Sequence, residues 1–135
     1  MAIYLNNTPQ FKVATVDLSA YVKSITLNWA FDEVEVTASG ATSHVMAKGL
    51  EASSIDVELL NDLASAKVIA TLQAAWGTTV AVTVQQLSTT TLATNPLYST
   101  TCLINNLTPV NGGIGDYSTQ TLKLNCNSVI VVTTS

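Results

Sequence analysis

The chain has 135 residues, 47% of them hydrophobic and only 10% charged, with 9 acidic against 5 basic side chains; this suits one domain with a mildly acidic surface and leaves no room for two. A mean hydropathy of +0.36 is high for so few charges, yet the longest strictly apolar run, residues 129–132, is far short of the about 20 residues that span a bilayer.

Residues 1–10 read as an N-terminal arm and 11–16 as a first strand. Residues 22–31 then alternate, with Ile25, Leu27, Trp29 and Phe31 on one face and Ser24, Thr26, Asn28 and Ala30 on the other, the pattern of a half-buried strand. A long loop is expected over 32–49, richest in small residues at 38–43. In 53–60, Ile55, Val57 and Leu59 form an apolar face while Ser54, Asp56 and Glu58 point the other way.

The rhythm changes between 61 or 62 and 76, where Leu63, Ala64, Val68, Ile69, Leu72, Ala75 and Trp76 recur at three- and four-residue spacing. Asn61 or Asp62 before them and Gly77 after predict a helix of about three to four turns, docked by one face. Further strands are predicted at 80–87, 100–107, 118–126 and 128–133, with loops at 94–97 and at 109–116, where glycines permit positive φ. Many strands and one helix make a mainly β fold, a sandwich or partial barrel with the helix flanking one open side.

Every basic residue is a lysine (Lys12, Lys23, Lys48, Lys67, Lys123), and no two adjoin. A nucleic-acid reader needs a clustered cationic face, usually with arginine, so that class is excluded. No Asp, Glu, Lys, Arg or His occurs in 68–115. Either its hydroxyls and amides keep that stretch solvated, or it is surface destined for burial against other copies. The opening Met-Ala-Ile-Tyr-Leu-Asn has neither the positive region nor the apolar core of a secretory signal. Synthesis in a cytoplasm is therefore expected, with Cys102 and Cys126 as reduced thiols.

No constellation for chemistry emerges. His44 has no evident catalytic or metal-binding companion and reads as a solvated or packed loop histidine. Asp32, Glu33 and Glu35 offer oxygens to a hard cation, but their spacing fits no EF-hand loop and a solvated edge is expected. Asp56 and Glu58 lack a partner hydroxyl, His or Arg, so they read as an acidic stripe on an exposed sheet face rather than an acid–base pair. Trp29 and Trp76 could stack a sugar, but each falls on the apolar face of its element and is expected in the core. Neither an enzyme, a cofactor nor a bound metal is expected.

Four stretches, in order over roughly residues 11–133, carry a resemblance. They are Asp17-Leu18-Ser19-Ala20-Tyr21-Val22 ahead of the alternating strand; Asp32-Glu33-Val34-Glu35-Val36-Thr37, a small-residue loop, then Gly49-Leu50-Glu51; Asn95-Pro96-Leu97-Tyr98; and Pro109-Val110-Asn111-Gly112-Gly113-Ile114-Gly115-Asp116. Together they resemble the major tail tube proteins of long-tailed, non-contractile bacteriophages. One departure is the absence of arginine, which is common in that family's long loop, where this chain has His44 and Lys48.

The resemblance implies a β-sandwich-like domain assembled into hexameric rings, whose inner sheets join into one multi-subunit barrel. With about four inner strands per copy at about 4.8 Å spacing, the backbone circle is roughly 37 Å across before tilt. Stacked rings would form a conduit in the virion tail through which DNA passes into the host without specific binding. The implied partners are further copies and tape-measure, tail terminator and baseplate proteins, with no membrane. Ser54, Asp56 and Glu58 are then expected on the channel wall, and Asp32, Glu33, Glu35, His44 and Lys48 in the ring-stacking loop. Neighbouring readings are a tail-completion or baseplate ring protein, a type VI secretion-like tube protein and, more remotely, an extracellular β-domain adhesin.

Overall fold

The computed structural model describes residues 7–65 and 67–134. Most of the arm expected over 1–10, and Ala66 of the expected helix, lie outside the described residues. In chain order the elements are β1 (Gln10–Val13), β2 (Val16–Asp17), β3 (Val22–Asn28), β4 (Phe31–Glu35), β5 (Met46–Glu51), β6 (Ser54–Leu60), α1 (Val68–Ala74), β7 (Thr79–Gln85), β8 (Leu97–Leu103), β9 (Thr119–Cys126) and β10 (Val131–Thr133).

All ladders are antiparallel, in the order β2-β1-β7-β8-β9-β6-β3, with β10 added to β8 and β4-β5 as a separate ribbon. The turning point is β8. Its residues Leu97, Tyr98 and Ser99 pair with β10, while only Cys102 and Leu103 pair with β9. The sheet folds there into two layers, β2-β1-β7-β8-β10 against β9-β6-β3, giving an antiparallel sandwich and not a closed barrel.

Strand alternation builds the core between these layers. Phe11, Val13, Val82 and Val84 point inward from one, Ile55, Val57, Leu59, Leu122 and Leu124 from the other, and all are buried. Each such side chain gains about 1.5–3 kcal/mol on leaving water, against the entropy of ordering the chain.

The helix is shorter than its periodicity suggests, at 7 residues. The Asp62 carboxylate accepts the Ala64 N–H at 2.9 Å, so the expected cap closes a separate Asx turn. The helix proper begins after Lys67 without a side-chain cap and buries Val68, Ile69 and Leu72. Gly77, at φ +75°, ends the segment and turns its N–H onto Ile104 O at 2.8 Å.

Two further expectations are corrected. Trp29 and Trp76 are not core residues, each being 54% exposed. The β3–β6 ladder stops at Asn28↔Ser54, and Trp29, one residue beyond it, sets its ring edge-on to Tyr98 and donates Nε1–H to Glu51 Oε1 at 3.0 Å. Trp76 follows the last helical turn and falls off the buried helix face. The segment 32–49 keeps a loop over 36–45, but its two ends are strand, β4 and β5 pairing with each other.

Candidate assembly surfaces

The β4–β5 ribbon continues the β3–β6 pair beyond the body of the sandwich. Ala52 N–H bonds Ala30 O at 2.8 Å, and the buried Ser53 hydroxyl accepts the Ala30 N–H at 3.2 Å, so the two pairs are spliced together. Glu51 braces the splice: one carboxylate oxygen takes the Trp29 indole and the other takes the Ile130 amide at 2.9 Å. Past that point every residue from Asn28 to Met46 is exposed.

The five residues expected in the stacking loop all lie on this arm. Glu33 stands opposite Lys48 in the ladder, and the Lys48 ammonium sits 5.5 Å from the centre of the Phe31 ring. The register slips between Phe31 and Glu33, where Gly49 and Leu50 of β5 stand against the single Asp32 of β4, a bulge on β5. Gly49 packs so tightly there that a Cβ would meet Asp32 O at 2.7 Å.

His44 is an exposed loop histidine, and its Nδ1 lies 2.6 Å from Glu35 Oε2, a neighbour the sequence spacing does not show. Glu35 also accepts the Thr37 hydroxyl at 2.9 Å, while Thr37 Oγ1 takes the Val45 amide at 2.8 Å, clasping the ribbon just below its tip. Hydrogen bonds from His44 and Thr37 lower the Glu35 pKa. Sequence spacing hid this pair because it forms only when the hairpin folds back. The arm also exposes Val34, Val36, Val45, Met46 and Leu50, the last 82% accessible.

The second surface is the outward face of β3-β6-β9. Ser54, Asp56 and Glu58 do share it, with Asp56 exposed and the other two half-buried. Cross-strand register adds what one strand could not reveal. Asp56 lies between Thr26 and Lys123, and Glu58 between Ser24 and Thr121, with Lys23 Nζ 3.8 Å from Glu58 Oε1. Asn28 Nδ2 donates to Asp56 Oδ2 at 3.1 Å. The expected acidic stripe is therefore a hydrophilic face on which two lysines balance two carboxylates.

No protein-family model matches the chain, and no curated protein matches it. Among the described residues no group of three or more His, Cys, Asp or Glu is placed to hold a metal ion, and no helix is long and apolar enough to cross a membrane.

The edges of the β3-β6-β9 layer differ. Along Gln120 to Lys123 the β9 edge is closed by side chains. Asn106 Oδ1 accepts the Lys123 amide and its Nδ2 donates to Lys123 O, Thr108 Oγ1 accepts the Thr121 amide, and Gln120 Oε1 accepts the Thr108 amide. β3 ends the layer on the other side, a seven-residue strand with no partner on its outer edge among the described residues. Loop 88–96 is organised by the buried Asn95, whose amide nitrogen donates to Leu87 O, Thr89 Oγ1 and Thr90 O and whose Oδ1 accepts the Leu87 amide.

Proposed function

We propose that this chain is the structural subunit of a bacteriophage tail tube, six copies closing a ring and the rings stacking into a conduit for DNA. The observation that carries the reading is the arm, a braced ribbon whose residues reach into solvent with apolar side chains uncovered. Isolated domains rarely expose contiguous apolar surface without a partner to cover it, and a repeating assembly supplies one in the next ring. The polar tip with the Glu35–His44 contact suits a surface that is wet before docking.

Two features support ring closure. The β3 edge, which has no partner strand among the described residues and carries no proline, is the kind of strand that pairs with a neighbour unless something covers it. The β3-β6-β9 layer supplies three strands per copy, fewer than the four expected. Six copies then close a backbone circle of roughly 28 Å, widened to roughly 36 Å by a strand tilt of about 40°. Placing Ser54, Asp56 and Glu58 inward gives a hydrophilic wall with little net charge. Such a wall suits passing DNA, because each phosphate neutralised would add counterion-release affinity and retain the strand.

In this reading the chain belongs to the virion tail and meets tape-measure, terminator and baseplate proteins at the tube's core and ends. Deleting residues 39–43 tests the arm. The tip lies outside the core, so the variant should fold and still form rings while failing to elongate under the electron microscope. Tubes of normal length from it would remove the arm from stacking.

A further inference from the structure

The two layers of the sandwich meet through two residue pairs, Cys102↔Cys126 and Leu103↔Asn125. The Cys126 amide turns away from β8 and donates to Ser53 O at 3.0 Å, whereas the next amide, Asn127, reaches across to Thr101 O at 2.6 Å. The cysteines thus occupy a non-hydrogen-bonded position of an antiparallel pair. There the Cα atoms stand about 4.5 Å apart and the side chains approach each other on one face. A disulfide requires a Cα separation of about 4.4–6.8 Å. Both thiols are free, with Cys102 buried and Cys126 partly open to solvent.

We propose that Cys102 and Cys126 form a covalent modification site, closing an intrachain disulfide by exchange with a low-molecular-weight disulfide and so clipping the two layers together. Cys126, the accessible sulfur, attacks as thiolate one sulfur of the reagent, breaking its S–S bond and releasing one reagent thiol. The resulting mixed disulfide on Cys126 is attacked by the Cys102 thiolate, which has lost its proton to solvent, and the second reagent thiol leaves. Two protein thiols are oxidised and one reagent disulfide is reduced to two thiols, so atoms and electrons balance. Burial raises the pKa of both thiols, that of Cys102 to about 12 with Cys126 adding to the shift. Exchange is therefore slow near neutrality and quickens as pH rises. The site depends on strand register alone and not on the tube reading.

The test uses the dispersed full chain with oxidised glutathione at mildly alkaline pH, followed by mass spectrometry and thermal melting. The native chain should lose two hydrogens without a lasting glutathione adduct, and its Tm should rise by roughly 10 °C, the effect of closing a loop of about 25 residues. Cys102→Ala should trap glutathione on Cys126, and Cys126→Ala should stay unmodified while folded. A lasting adduct on the native chain, disulfide-linked dimers, or no reaction in the time that fully oxidises the urea-unfolded chain would each overturn the proposal.

Discussion

Asn95→Ala is the substitution whose cost is best worked from the structure. The Asn95 carboxamide makes three donor contacts, to Leu87 O at 3.1 Å and to Thr89 Oγ1 and Thr90 O at 3.2 Å, and accepts the Leu87 amide at 3.3 Å. Two hydrogens serve the three acceptors, so the net loss is about three hydrogen bonds at about 1 kcal/mol each. Water entering the opened loop recovers part of that, leaving about 2–3 kcal/mol. At about 3 °C per kcal/mol for a chain of this size, Tm should fall by roughly 6–9 °C. Asn95→Asp should cost at least as much at neutral pH, because it sets a carboxylate against the Leu87 and Thr90 carbonyls, and acidification should restore part of the loss by returning one donor. Thr94→Ala, at an exposed neighbour, should change stability by less than about 0.5 kcal/mol. Urea unfolding followed by circular dichroism at a concentration where the chain is dispersed measures all three. A loss below about 1 kcal/mol for Asn95→Ala, or an Asp variant as stable as the native chain, would refute the reasoning.

Gly49→Ala should break the β4–β5 ribbon, since the new Cβ meets backbone at Asp32 O; faster proteolysis within 32–48 with an unchanged core melt is the expected signature. Replacing Asp56 and Glu58 together by Lys should still give tubes, but assembled tails should release DNA slowly at low ionic strength and recover as salt rises. Normal release at low salt would take these residues off the channel wall. The thiols predict an alkaline limit on stability. The Cys102 pKa is raised in the folded state, so its contribution is fully present below about pH 9 and is lost as pH rises toward about 12. Urea midpoints from about pH 8 to about pH 10 should fall less for Cys102→Ala than for the native chain.

Where alternation was set by two opposing faces, it was readable from the chain. Ile55, Val57 and Leu59 turn inward and Ser54, Asp56 and Glu58 outward, as their spacing requires. What a single strand could not disclose was its neighbours. Lys23 and Lys123 arrive beside the carboxylates through register, and Glu35 meets His44 only because the hairpin closes. The two tryptophans misled for a related reason, since each carries the phase of its element one or two residues beyond where the ladder or helix stops. The arm was located, but the strand pairing at its two ends was not legible, because its small residues weaken the strand signal while its exposed valines carry no burial pattern. The partners of Asn95 lie five to eight residues away in a turn-rich segment, where no periodicity marks them.

The most direct test of tube assembly is negative-stain electron microscopy of the purified native chain across a rising concentration series. Long hollow tubes with six-fold end views are predicted, appearing as concentration increases. Isolated rings that never stack would point to a ring component instead, and a chain that stays monomeric throughout would contradict the assembly outright.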